Sequence, residues 1–484
     1  MFSKCVLVLT STDEQERKLD PMLRLRKMSV NFLLALIIGT YTVNSEQCLS
    51  ENKNPYLYFA SKTAYDTVRG DITKEFLALR ESGCEVRSVC MLLRHGSRHP
   101  TGLDLALIRL HMASLKERIL KAHGLGLGSL CQKDIDLLKQ WTGKELEYKL
   151  RMKLFESGKS ELERLGARMR TALPHFFSED ALNSRISIWS TDTNRTKESA
   201  RAFLKGFCPS QDLARSIVSK RANNILEFSE TCQKYVDKVL RGRSARRYMK
   251  FLDEAEMNSV IHNVSKRLNI SVGKLHVLLM YNVCRYYKAM EPGKVSAWCA
   301  VFSTTDFKIL EYAEDLISYH DHGYEFDIMH KLACPLIEDI IHHFRSQIVN
   351  DTEPSSSFYV SHIETVIKAM VGFGLFNDSH APTHSHMDPN RLWQTSLFGG
   401  FASNLLLVLT KCPGDRWSIN TFVNERRIPL PKCESPGGCP WSRFLQIFEE
   451  QNCHFNDLCK NGYGVYYKAI FWRAVNYLSV YDGL

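Results

Sequence analysis

The run from Val86 to Thr101 limits this chain most. Its first part, Val86 to Leu93, is mostly apolar and of strand length, and it ends abruptly in Arg94-His95-Gly96-Ser97-Arg98-His99-Pro100. Gly96 and Pro100 stop the strand from continuing. A buried strand that ends in cations and imidazoles puts chemistry at its carboxyl end, where open α/β sheets bind ligands. A helix starting soon after Pro100 points its amide-rich N-terminus at the same spot. Arg94 and Arg98 offer planar forks for phosphate oxygens, Gly96 permits close backbone approach, and His95 has a ring nitrogen able to attack phosphorus. On composition alone such a packet is solvated surface charge. The apolar strand running straight into it argues for a phosphoryl site instead.

This stretch resembles the Arg-His-Gly-x-Arg-x-Pro signature of the histidine acid phosphatases, whose histidine is phosphorylated during turnover. Two later segments carry the resemblance further. Arg185-Ile186-Ser187-Ile188-Trp189 reads as a second strand leading to Ser190–Ala200, where the family uses a third arginine and this chain has Arg195. Ser357-Phe358-Tyr359-Val360 reads as a third strand, ending at His362-Ile363-Glu364. At that point the multiple inositol polyphosphate phosphatase branch carries His-Ala-Glu, whereas the acid phosphatase and fungal phytase branch carries His-Asp. The chain matches the first branch at both polar positions and departs from it at Ile363, a bulkier residue than Ala.

The resemblance spans about Cys84 to Leu430. It implies that His95 is the nucleophile, that Glu364 is the proton donor, and that Arg94, Arg98, Arg195 and His362 bind the phosphoryl group. The implied reaction is hydrolysis of phosphomonoesters of inositol polyphosphates such as phytate, with 2,3-bisphosphoglycerate as a further substrate, and it needs no cofactor and no metal. The implied fold is an α/β three-layer sandwich around a mixed, mostly parallel sheet of phosphoglycerate-mutase type, with an inserted helical cap. An alkoxide expelled unprotonated is costly, so Glu364 has to arrive protonated, while guanidinium neighbours keep His95 neutral.

A length of 484 residues with 44% hydrophobic and 24% charged side chains suits a globular chain of two domains, one discontinuous. The expected organisation is a signal region over 1–45, an α/β catalytic part over 46–207 and 345–460, a mainly helical cap over 208–344, and a tail over 461–484. Within the cap, helical spacing appears around Asn224–Leu240, Met257–Leu268, Val272–Ala289 and Phe307–Ser318. The net charge of +10 suits an anionic small-molecule partner; nucleic acid is disfavoured because the basic residues are scattered outside Arg241–Lys250. Arg24 to Met28 followed by the apolar run Phe32–Gly39 reads as a secretory leader cut near Ser45, with Met28 an alternative start.

Beyond Cys5, 14 of the 15 cysteines remain, an even number that fits an oxidising compartment. Cys433, Cys439, Cys453 and Cys459 lie close enough for local bridges and lack the Cys-x-x-Cys pairs of a zinc site. Asn263, Asn269, Asn350 and Asn377 are glycosylation sequons on a secretory route, and Asn194 also matches but sits in the proposed site. No endoplasmic-reticulum retention signal follows Val480. His380, His384 and His386 read as a loop, as does the Gly-rich stretch Gly124–Gly128, which lacks the Lys-Ser/Thr of a phosphate loop. Three rivals remain to the main reading: a general acid phosphatase, a mutase-like transferase, and a catalytically silent inositol-phosphate binder.

Overall fold

Along Glu85–Arg94 (β1) every residue from Ser88 onward is buried, so both faces of the strand require a covering layer. Val89, Met91 and Leu93 point to one side, against Leu162, Leu165, Met169 and Phe203. Cys90 and Leu92 point to the other, against Val366, Ile367, Met370 and Phe344. Helices therefore sandwich the sheet, as in a three-layer α/β fold. The computed structural model describes residues 48–49, 54–176, 186–208, 218–220, 225–242, 245–350, 354–433, 437–449, 454–460 and 464–481. The expected leader and Cys453 lie outside them.

The sheet is mixed. Its other strands are Ile186–Thr191 (β2), Val218–Lys220 (β3), Ser355–Ser361 (β4), Asn404–Cys412 (β5), Arg416–Val423 (β6), Arg426–Arg427 (β7) and Cys439–Pro440 (β8), in the order β3-β2-β4-β1-β5-β6-β7 with β8 beside β6. The first four in that order run parallel, and β5 and the strands beyond it are antiparallel to their neighbours. The register sets Arg94 opposite Ser361 and Ser190 opposite Val360. Three carboxyl ends from distant parts of the chain thus finish level with one another.

Each of these strands feeds a helix. Gly102–Gly124 (α1) follows β1, with Glu156–Ala172 (α2) later in the same crossover; Asn194–Phe207 (α3) follows β2, and Ile363–Gly372 (α8) follows β4. Between β3 and β4 lie Ala255–Leu268 (α4), Lys274–Met290 (α5), Thr304–His322 (α6) and Cys334–Asn350 (α7). A separate apolar core joins α1 to α4, α5 and α6 through Leu105, Met112, Val260, Leu279, Phe307 and Leu316. Of the expected helical stretch Asn224–Leu240, the described residues are α-helical over Gln233–Lys238, and Leu240 opens a 3₁₀ turn. Ahead of it the Leu226 carbonyl accepts from the Ser361 and Thr365 hydroxyls, at 3.3 and 2.7 Å, in place of a helical N–H.

Five disulfides join described residues: Cys48–Cys131, Cys84–Cys412, Cys232–Cys459, Cys284–Cys299 and Cys433–Cys439. The local bridge expected near the end of the chain holds for Cys433 and Cys439. Cys459 instead reaches back to Cys232, because Phe455–Cys459 packs on Gln233–Lys238. Past it, Val465–Ser479 (α9) docks against the 233–242 segment. No described helix is long and apolar enough to cross a membrane.

Candidate active site

Strand register explains why residues far apart in sequence meet. The His95 N–H donates to the Ser361 carbonyl at 3.1 Å, and the His95 carbonyl accepts from the Ala402 N–H at 3.1 Å, so the first residue past β1 is pinned between β4 and β5. Its ring lies edge-on to that of His362, with centroids 5.6 Å apart. His95 Nδ1 stands 2.9 Å from the Gly96 carbonyl. A carbonyl can only accept, so Nδ1 carries the proton and Nε2 holds the lone pair.

The loop after His95 is fixed by two glycines facing each other. A Cβ on Gly96 would meet the Gly158 carbonyl oxygen at 2.2 Å, and one on Gly158 would meet the Ser97 oxygen at 2.1 Å. Gly96 thus permits close approach to α2, where the sequence suggested approach to a ligand. Buried Glu161 completes the clamp, accepting from Ser97 N–H at 2.9 Å and from Ser97 Oγ at 2.8 Å. Burial raises its carboxyl to about 7 against the pull of those two hydrogen bonds.

Four cations gather around this point. Arg94 is 3% exposed; its Nη1 donates to the Ser61 and Gly399 carbonyls, both at 2.6 Å, and its guanidinium lies 4.6 Å over the Phe401 ring. Arg98 is braced by the His99 carbonyl at 2.8 Å. Arg195, in the first turn of α3, donates through Nη2 to His362 Nδ1 at 3.2 Å. The fourth, Arg473, comes from α9. The buried Nε groups of Arg94, Arg98 and Arg195 have no hydrogen-bond partner among the described residues. Three such donors on guanidiniums close enough to repel one another fit an oxyanion.

Electrostatics follow from this crowding. Burial first, then Arg195, Arg94, His362 and Arg98, hold the His95 imidazole well below its ordinary range, so it is neutral in mild acid. Burial therefore joins the guanidiniums in keeping the His95 imidazole unprotonated. His362 is lowered to about 3, by burial and then Arg195. Its Nδ1 accepts from Arg195, and its Nε2 lies 3.1 Å from Thr191 Oγ1. Expected as a direct phosphate ligand, His362 commits both nitrogens to the protein and holds Arg195 in place.

Glu364 sits in the first turn of α8, where the helix dipole favours a carboxylate. Burial opposes ionisation there, but Arg473, His362 and His322 outweigh it and hold the carboxyl well below the usual range. Arg473 Nη1 is 3.6 Å from Glu364 Oε1, and its Nη2 pairs with Glu230. Sequence reading missed this arginine. Its only signal is a lone cation in a stripe of helical spacing, Tyr466, Ala469, Arg473, Tyr477 and Val480.

Arg94, Arg98, Ile363 and Glu364 line a cavity of about 340 Å³, whose lining does not include His95, Arg195 or His362. Lys62, Arg285 and Glu314 mark another part of the lining, joined by Tyr248, Tyr281, Tyr286, Tyr477 and Tyr481. The N-terminus of α1 also borders the cavity but is closed by its own capping box: Asp104 accepts from Thr101 N–H at 3.2 Å, and Thr101 Oγ1 from Asp104 N–H at 3.2 Å. His384 pairs with Glu254 at 2.9 Å, and His380, His384 and His386 lie on a loop. The one described cluster with metal-ligand spacing, Cys48, Cys131 and Asp134, includes two disulfide-bonded cysteines.

Comparison with known proteins yields a consistent set. The family model described as "Histidine phosphatase superfamily (branch 2)" matches residues 85–424. Multiple inositol polyphosphate phosphatase 1 of Drosophila melanogaster is 26% identical, over 81% of this chain and 84% of that protein. The Homo sapiens protein of the same name is 25% identical, over 84% and 87%. Among solved structures, the phytase from D. castellii aligns with a TM-score of 0.63 at 14% identity, covering 78% of this chain and 82% of its own. The Bifidobacterium longum multiple inositol polyphosphate phosphatase bound to inositol hexasulfate aligns at 0.58 and 14%, covering 79% and 95%.

Proposed function

The chain belongs to branch 2 of the histidine phosphatase superfamily, and on that premise we propose that it removes phosphates from inositol polyphosphates through a phosphohistidine on His95, with Glu364 as proton donor. The observation that carries this reading is the set of three partnerless Arg Nε donors beside an imidazole whose Nε2 holds the lone pair. His95 Nε2 attacks phosphorus, the bond to the ester oxygen breaks, and the proton of Glu364 passes to that oxygen. Charge on the three equatorial oxygens is met by Arg94, Arg98 and Arg195, whose mutual repulsion an anion relieves. Water then attacks phosphorus, Glu364 takes its proton, and the P–N bond breaks, returning His95 neutral.

Glu364 must be protonated for the first half of this cycle, whereas Arg473 favours its ionised form. A phosphate dianion seated among the arginines restores the balance, since a like charge nearby raises a carboxyl. Inositol polyphosphates are supported as substrates by the curated relatives and by Glu364 standing where that branch carries glutamate. A wider acid phosphatase reading is favoured by one observation: Lys62 and Arg285 are already paired with Glu314, and five tyrosines line the cavity with them.

The disulfides support synthesis in an oxidising compartment, and exposed Asn263, Asn269, Asn350 and Asn377 support glycosylation there. The deciding experiment incubates purified protein with phytate or an aryl phosphate, follows free phosphate, and looks for an acid-labile phosphoprotein after alkaline quenching. The wild type releases phosphate from phytate and traps the intermediate, and His95→Ala does neither. Parental turnover of phytate by His95→Ala would overturn the assignment.

A further inference from the structure

The matched family span ends at residue 424, yet α9 (Val465–Ser479) forms part of the cavity. We propose that α9 completes the active site by delivering Arg473 as the positioning residue for the acid–base carboxyl of Glu364, with Glu230 as the counter-ion that meters how much of that charge Glu364 feels. The proposal rests on the reading of Glu364 as proton donor.

Placement of this helix is specific along its whole length. The Cys232–Cys459 disulfide fixes the chain just before it. Asn476 Nδ2 donates to the Leu240 carbonyl at 2.9 Å, Tyr477 hydroxyl lies 2.8 Å from Thr101 Oγ1, and Tyr481 hydroxyl donates to Asp104 at 2.7 Å. Between these anchors Arg473 is held by Glu230, itself bonded to Ser229 Oγ at 2.9 Å. Its other edge lies 3.6 Å from Glu364, close enough for strong attraction and outside hydrogen-bond reach. The carboxyl can therefore gain and lose its proton without breaking a direct bond to the arginine.

The charged and titratable groups facing Glu364 come from every element around it. Its own helix and cap supply His362 and Lys368, α6 supplies His322, the 225–242 segment supplies Glu230, the β1 end and the first turn of α3 supply Arg94 and Arg195, and α9 supplies Arg473. Lys368 is already bonded to Ser229 and Tyr235 at 2.8 and 2.9 Å. Arg473 is the nearest cation to the Glu364 carboxylate and the one shared with a second acid. When Glu364 gives its proton to the leaving oxygen, the carboxylate it becomes faces Arg473; when it takes a proton from water, that attraction is given up.

The test measures pH profiles of kcat/KM on an alkyl phosphate for the full chain. Arg473→Gln should move the alkaline limb up by about one pH unit or more, the shift expected from losing an opposite charge at this range. Arg473→Lys should restore most of the parental profile, and Glu230→Gln, which leaves Arg473 wholly to Glu364, should move the limb the other way. An activated aryl phosphate, whose leaving group needs no proton, should show no such shifts. If Glu364→Gln is inactive on the alkyl ester while folded Arg473→Gln keeps the parental limb, the role of Arg473 is refuted and the proton-donor reading stands. If Glu364→Gln keeps parental activity, the proton-donor reading itself fails. Should Arg473→Gln not fold, the Glu230→Gln profile decides alone, an unshifted limb refuting the proposal.

Discussion

Gly158→Ala adds one methyl group on α2, away from every group that touches phosphate, and should still disable the enzyme. Alanine is the better helix former by about 1 kcal/mol, so on propensity alone the variant gains stability. The added Cβ, however, would sit 2.1 Å from the Ser97 carbonyl oxygen and 2.6 Å from the Ser97 nitrogen, both backbone atoms. Relief requires helix and loop to part by about 1 Å, and overpacking of this kind costs about 1–3 kcal/mol. The contest ends near neutral to about 2 kcal/mol destabilised. The loop that moves carries Gly96 and Ser97, adjacent to His95, and a displacement of about 1 Å at a reacting atom costs roughly 100-fold in rate. Stopped-flow phosphorylation rates with an aryl phosphate, set beside urea unfolding, separate the two effects. A variant that phosphorylates His95 within twofold of the parental rate would refute the claim that this glycine contact aims the nucleophile.

Glu364→Gln should slow transfer of phosphate from alkyl phosphates to His95, read as kcat/KM or in a single turnover, by about 10²–10⁴-fold while sparing that step for nitrophenyl phosphate, which leaves without a proton; equal losses on both in that step would argue against proton donation. Burial raises Glu161 from 4.5 to about 7, so the folded state binds the extra proton and its stability falls as pH rises through that window. Urea midpoints should show the wild type losing up to about 3 kcal/mol more than Glu161→Gln between pH 4.5 and pH 8. Replacing Cys84 and Cys412 together by Ser opens a link between residues 328 apart and should lower stability by about 4 kcal/mol, read from denaturant midpoints, with kcat unchanged at 25 °C.

The parallel strands were legible because each holds a short, largely apolar run, Val89–Leu93 in β1, Ile186–Trp189 in β2 and Phe358–Val360 in β4, that stops at polar residues. That pattern pointed to Arg94 and His95 at the carboxyl end of β1; Arg195 and Glu364 were singled out by the family resemblance, since an arginine or glutamate in the first turn of a helix is common on its own. Tertiary choices were not legible. The 225–232 segment has helical spacing, but its Leu226 carbonyl is claimed by Ser361 and Thr365 from another element. Arg473 could not be placed because its partners, Glu230 and Glu364, come from distant segments, and only packing of α9 on the 233–242 segment brings it to them.

The central position of β1 has a consequence for how the protein is made. Ser88 on β1 meets Ser355 on β4 across 267 positions, and its other neighbour, β5, is later still. At a synthesis rate of about 5–20 residues per second, β1, a largely apolar strand, waits roughly 13–50 seconds with neither edge paired. Unpaired apolar edges invite pairing with other chains. The strand that presents the nucleophile is thus the one most in need of a chaperone during translation, and crowding of nascent copies is the condition under which yield should first collapse.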